Sequence, residues 1–454
     1  MIFEINSKAI LSSMNRLTRQ AVKEHLTLKN PERAQLERMG KYAGNVPEYL
    51  KYYEQDGNTL TCHRGAAEAI YMLCKARGEN INVVDNRLTL EPVQFEFKGK
   101  LRPFQEKGIQ AMLPRTDGVL VFPTGGGKTV AMLSLISRRE QPCLAIVDKK
   151  ELLYQWRDGA CQFLDMTPDE VGMVGAGKFK IGDRLTIGTI QTISRRVDEL
   201  KNRFGMVVVD ECHKAGAPSF METLGQFPAK YICGCTATPV RNGGMSPTIG
   251  FALGPVRYTI GKQELLDQRY LCQARYQQVP TNFSTLTDAS AQYTRVISEL
   301  VDDKARNELI CRTITNTDTH GLSLILTGRV GHCDELKNRL KAYGINPVIL
   351  SGKTPVKERE QVFERIKQGS VSHIISTTSL LKEGFDLPVL ENLFLVFPVK
   401  WKGSIVQMIG RILRPAPGKE CAMIYDFVDP SVGILSNSAR VRANVYKQEG
   451  IKAA

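Results

Sequence analysis

The chain has no long hydrophobic run. Nothing in it approaches the ~20 consecutive apolar residues that a bilayer-spanning helix needs, which argues against a membrane segment. The opening stretch, MIFEINSKAILSSMNRLTRQ, is too polar for a secretory signal. The 11 cysteines are scattered, with no CxxC pair and no cysteine–histidine array at zinc spacing. They read as small buried thiols of a reducing compartment, Cys233 and Cys235 alternating with Gly234 in an apolar run. A disulfide-stapled secreted scaffold and a zinc module are thereby excluded, and a cytoplasmic or nuclear protein is expected. Acidic residues are in the minority, 47 against 61 Lys and Arg, and the net charge of +14 favours a polyanionic partner.

What is present is organised around Val119 to Thr129, VLVFPTGGGKT. A short apolar run (Val119, Leu120, Val121, Phe122) reads as a buried strand, and the periodic stretch from Val130 to Ile136 as a helix. Between them lie Pro123, Thr124, Gly125, Gly126, Gly127, Lys128 and Thr129. Strand, glycine loop and helix form the context of a phosphate-binding loop. Glycines let backbone N–H groups turn inward with no β-carbon in the way, and the helix adds its unpaired N–H groups. Lys128 can reach β- and γ-phosphates, and the Thr129 hydroxyl suits Mg²⁺. The general pattern has Gly at position 122, where this chain has Phe.

A chain of 454 residues exceeds one core and predicts about three domains. Residues 1–97 read as a small α+β accessory module: a strand at Met1–Ile5, a helix over GAAEAIYMLCKAR (65–77), and strand, turn and strand in INVVDNRLTL (81–90). Basic residues and Tyr42, Tyr49, Tyr52 and Tyr53 make it a candidate for gripping a nucleic-acid backbone, though a solvated face with a tyrosine-rich core fits equally. Residues 98–275 alternate apolar strands (VLVF, CLAIVD, LTIGTI, MVVVDE, YICGCTA) with helical segments, which predicts a parallel sheet covered on both faces. Residues 276–320 are polar, then helical, and read as a linker with a helical insertion; residues 321–454 repeat the alternation without a second phosphate loop. The fold class is therefore α/β, two tandem parallel-sheet domains behind the accessory module.

In such sheets function sits where strands end. Asp210 and Glu211 end MVVVDE about 80 residues beyond the phosphate loop. Asp210 can hold Mg²⁺, and Glu211 can orient or deprotonate a water. In the second series Gln407, Arg411 and Arg414 fall at i, i+4 and i+7 and share a helix face. Arginines facing a γ-phosphate stabilise transition-state charge, so a catalytic site assembled from both domains is expected.

The ordered set LRPFQ, PTGGGKT, GTIQT, DECH, TATP, TTSLLKEGFDLP and QMIGRILR, spanning residues 98–425, resembles the motifs of superfamily 2 helicases of the DExH type. FKGKLRPFQ, TATPVR and the helical insertion resemble, more narrowly, XPB-like proteins and phage branch-migration helicases of the UvsW kind. XPB-like chains follow TATPVR with an acidic pair, where this one has Asn242, Gly243 and Gly244. The resemblance implies two RecA-like domains using ATP and Mg²⁺. Gln105, with Arg102 nearby, would read adenine. His213, Thr236 and Thr238 would couple hydrolysis to strand movement, and Gly384 and Asp386 would meet nucleotide from the second domain. Thr189, Gln191, Ser351, Gly352, Thr377 and Thr378 would line a DNA groove, since small donors grip phosphates without reading sequence. The implied activity is a DNA translocase remodelling forks, Holliday junctions or D-loops, in a bacterial or phage-infected cell or a nucleus, alongside recombination or replication proteins. An RNA helicase is the alternative, although no RNA-binding signature is visible; an ATP-driven switch is disfavoured by the full hydrolytic set.

Overall fold

The computed structural model describes residues 1–237, 245–289, 291–319, 321–352, 354–378, 389–399, 405, 408–410, 412–416, 418–419 and 421–454. The chain divides into two compact units, one of Met1–Pro123 with Gly127–Gly261, the other of Thr124–Gly126 with Lys262–Ala454.

Among the described residues the first unit holds an eight-stranded sheet in the order Lys178–Lys180, Gly172–Gly175, Leu185–Thr189, Cys143–Val147, Met206–Val209, Tyr231–Thr236, Asp117–Val121, Val256–Thr259. Every pairing is parallel except the hairpin of the first two strands. Five strands coincide with the apolar runs of the sequence, and the central ones are buried on both faces, so near-continuous apolar runs rather than alternating ones fit them. The register sets Thr236 beside Val121 and Thr189 beside Val147, which lines up the strand ends along one edge.

The N-terminal residues form a five-stranded mixed sheet, ordered Tyr53–Asp56, Thr59–His63, Lys8–Ser12, Ile2–Ile5, Asn82–Asp85. Helices Arg16–His25 and Ala67–Ala76 pack with it; Asn15 caps the first, accepting from the Thr18 N–H at 2.8 Å. This sheet is built into the first unit. Phe3, Leu11, Val22 and Ile70 belong to one hydrophobic cluster with Leu224, Phe227, Phe251 and Leu253. Arg64, 3% exposed, donates to Asp117 Oδ1 at 2.6 Å, to the Lys230 carbonyl at 3.0 Å and to the Ala229 carbonyl. At Gly65 a β-carbon would lie 2.5 Å from the Gly254 nitrogen and 2.6 Å from the Gly250 oxygen, so only glycine admits this backbone approach. Of the four tyrosines, Tyr52 and Tyr53 pack against the core while Tyr42 and Tyr49 are exposed.

Among its described residues the second unit contains a seven-stranded parallel sheet ordered Val348–Leu350, His373–Thr377, Leu322–Thr327, Leu390–Leu395, Cys421–Val428, Gln273–Pro280, Lys452–Ala453. The polar stretch that reads as the start of a linker is therefore a strand, paired along its whole length with Cys421–Val428. The helical insertion is two helices, Tyr293–Asp302 and Lys304–Thr315, the second capped by Asp303. Two buried ion pairs tie this unit together. Arg306 donates to Asp429, which also accepts from Thr281, and Arg442 forks onto Asp426, which also accepts from Tyr446.

Candidate nucleotide and strand-groove site

In the first unit the functional side chains gather at the carboxyl ends of three neighbouring strands. Asp117–Val121 leads through the glycine loop into helix Lys128–Arg139. Gly125 (φ 86°) and Gly127 (φ 73°) take left-handed conformations that side chains resist. Gln105, buried at the start of helix Pro103–Met112, fastens this loop. Its Oε1 accepts the Arg102 N–H at 2.8 Å, and its Nε2 donates to the Gly127 carbonyl at 3.2 Å. A β-carbon on Gly127 would collide with that amide at 2.4 Å. Lys128 opens the helix with its ammonium 3.5 Å from Glu211 Oε1, and Thr129 follows in the first turn.

Asp210 and Glu211 follow strand Met206–Val209. Asp210 is buried, and its hydrogen-bond partners are neutral: Trp156 Nε1 donates to Oδ2 at 2.9 Å, the Glu211 N–H to Oδ1 at 2.8 Å, and the Cys235 thiol lies 3.4 Å from Oδ1. Burial, and then the Glu211 charge, raise this carboxyl above the ordinary aspartate range. Burial also works to raise Glu211, but the Lys128 charge and the His213 hydrogen bond outweigh it and hold that carboxyl at about 2. Glu211 sits at φ 46°, a left-handed strain of about 1–2 kcal/mol that aims its side chain. His213 Nδ1 is 3.3 Å from Glu211 Oε2 and 3.2 Å from Thr236 Oγ1, linking two strand ends.

A buried carboxylate with neutral donors on both oxygens, beside a second acid and the loop lysine, fits a hydrated divalent cation carried on a nucleotide phosphate. Asp210 and Thr129 would hold Mg²⁺, which supplies charge neutralisation at the phosphates when bound. Lys128 would bind phosphate, and Glu211, ionised at neutral pH, can accept a proton from water.

Beside this cluster lies a cleft of about 740 Å³ lined by Asp148, Gln191, Ser194, His213, Lys214 and, from the N-terminal module, Pro31. Gln191 Nε2 donates to the Asp148 carbonyl at 3.3 Å, and Lys214 is ion-paired with the Asp148 carboxylate. Thr189 is buried, its hydroxyl donating to Thr192 at 3.0 Å where helix Ile190–Arg195 begins. In the second unit, Ser351 and Gly352 follow strand Val348–Leu350, while Thr377 and Thr378 end the adjacent strand, so these four share one sheet edge. Arg359 donates to the carbonyls of both Ser351 and Gly352. Arg414 follows Leu413, its carbonyl accepting from Lys419 at 2.9 Å. Thr238, Gly384, Asp386, Gln407 and Arg411 lie outside the described residues. Sequence reasoning missed Trp156, Cys235, Asp148 and Lys214. Lys214 stands directly after DECH, but no spacing rule pairs it with Asp148, 66 positions earlier.

Two sheets of parallel strands, the first with a glycine loop and paired acids at its strand ends, define a phosphate-loop nucleoside triphosphatase with two RecA-like domains behind an N-terminal extra domain. The family comparisons narrow this. The model described as type III restriction enzyme, res subunit, matches residues 98–241, and the helicase conserved C-terminal domain matches 305–416. The chain belongs to superfamily 2 of the helicases, and is an ATP-dependent nucleic-acid helicase by that membership. It is 25% identical over 357 residues to the DNA 3'-5' translocase XPB2 of Sulfurisphaera tokodaii, covering 70% of this chain and 79% of that one. It is 25% identical over 400 residues to the probable helicase D10 of Escherichia phage T5, covering 84% and 82%. Against the yeast putative ATP-dependent helicase IRC3, 26% identical, it covers 74% of this chain and only 52% of the relative. In fold it resembles the ATP-dependent type ISP restriction-modification enzyme LlaBIII bound to DNA, with a TM-score of 0.57 and 15% identity over 82% of this chain and 32% of that one.

Proposed function

We propose that the protein is an ATP-dependent DNA translocase that remodels branched DNA, such as forks, Holliday junctions or D-loops, in recombination, repair or replication. Residues 98–275 and 321–454 carry the two motor domains, 276–320 belongs with the second of them through strand Gln273–Pro280 and the two helices packed in its core, and 1–97 reads the junction. Lys128, Thr129, Asp210 and Glu211 bind and hydrolyse MgATP, with Gln407, Arg411 and Arg414 completing the transition-state contacts. Thr189, Gln191, Ser351, Gly352, Thr377 and Thr378 grip the strand backbone. The DNA 3'-5' translocase among the relatives supports DNA as the track.

The observation that carries the junction reading is the cleft in which Pro31 of the N-terminal module faces Gln191 and Ser194 of the ATP-binding domain. A reader built into the wall of the strand groove can sense strand geometry where the motor holds it. The test is ATPase rate at fixed salt with no nucleic acid, single strand, duplex, fork, four-way junction and RNA. Fixed salt matters because backbone binding varies steeply with it. Fork and junction are expected to stimulate most. Equal stimulation by linear single strand would remove the junction assignment, and preference for RNA would move the protein to the RNA helicases.

A further inference from the structure

We infer that Lys214 is a strand-phosphate ligand held in reserve by Asp148, and that exchange of partners there signals DNA occupancy to Glu211. The inference rests on the DNA-motor reading and names a contact inside the same site. Both residues line the 740 Å³ cleft that also holds Gln191 and Ser194. The pair is partly open to solvent, the Lys214 side chain 41% and the Asp148 side chain 23% exposed, so an incoming phosphate can reach the ammonium. Asp148 directly follows strand Cys143–Val147 and its backbone carbonyl accepts from Gln191, so its backbone is anchored at the sheet edge while the Lys214 ammonium turns to an arriving phosphate. An acid in a groove built for polyanions repels them unless neutralised, and Lys214 supplies the neutralising charge.

Lys214 is also wired to the hydrolytic centre. It closes the short turn Cys212–Lys214, its N–H donating to the Glu211 carbonyl at 3.2 Å. The residue before it, His213, touches both Glu211 and Thr236. Pulling Lys214 from Asp148 toward a phosphate therefore loads the turn that places the Glu211 carboxylate, which already sits in a strained backbone conformation. Exchange at one ion pair ties strand binding to water activation.

The test uses the full chain and a fluorescent oligothymidylate, measuring binding over a salt series and the DNA concentration giving half-maximal ATPase. D148N, which frees the lysine, is expected to tighten binding by about two- to fivefold, the worth of a partly exposed ion pair, without changing the salt slope. K214Q is expected to weaken binding and to reduce the slope of log K against log salt by about 0.7, the signature of one lost single-strand phosphate contact. K214R should restore the slope. In the double variant, D148N should have no effect beyond K214Q. If D148N tightens binding equally with Gln at 214, Asp148 acts only as a repelling charge and the exchange is wrong. An unchanged slope in K214Q also overturns it. Failure of every DNA to bind or stimulate the unmodified protein would instead refute the DNA-motor reading.

Discussion

The two units bury their acids in opposite ways. In the first, Asp210 meets an indole, a thiol and a backbone N–H, and no cation completes a hydrogen bond to it among the described residues. In the second, Asp426 and Asp429 are each met by a buried arginine and a hydroxyl. The sheets are alike, and both acid sets lie near strand ends. The difference is whether the protein itself neutralises the charge. A carboxylate answered by arginine is a fastening, whereas one answered by neutral donors keeps its charge for a visiting cation. Such partnering separates a site from a scaffold better than burial does.

Substitutions can sharpen or break that contrast. The largest effect is expected from Arg442→Met, which strands Asp426 in the core and should cost about 3–5 kcal/mol, read in denaturant unfolding of the full chain. Adding Asp426→Leu should recover most of that loss. Next, Asp210→Asn should lower ATP turnover by about 10²–10³-fold while leaving the unfolding midpoint nearly unchanged; loss of stability comparable to Arg442→Met would erase the distinction.

Acid should act through His332 in the second unit. This histidine is 2% exposed, accepts from Thr327 and donates to Asn307, and burial lowers its pKa from 6.5 to about 3. Unfolded chain takes up the proton below about 6.5 while the native form refuses it until about 3, so the unfolded state binds more protons across that window. Stability must therefore fall as pH drops through it, by up to about 1.4 kcal/mol per pH unit. His332→Gln should flatten that slope. The smallest effect, about 1 kcal/mol, is expected for Lys419→Met. Lys419 donates to the carbonyls of Ile412 and Arg414, while the Cys272 N–H takes that of Leu413 at 2.7 Å. Its loss should show as a modest fall in turnover from a looser Arg414.

The central strands were legible in the sequence because burial on both faces forces unbroken apolar runs. Gln273–Pro280 was not, since beyond it lies only the two-residue strand Lys452–Ala453, and this near-edge position leaves most of its side chains partly or fully exposed. The glycine loop and the DECH acids announced themselves through local spacing. Trp156 and the Asp148–Lys214 pair did not, because their meanings come from partners 54 and 66 positions away. The seam at Arg64 is harder still, as its carbonyl acceptors carry no side-chain signature.

That seam bears on mechanics. A reader domain on a flexible tether meets its target at an effective concentration set by linker length, and its hold on a strand transmits little force. Here Arg64 and the glycine approach at Gly65 leave no tether. The N-terminal sheet is carried with the ATP-binding domain as on the arm of a rigid lever, so a strand held by that sheet would be pulled by the same body that holds the nucleotide.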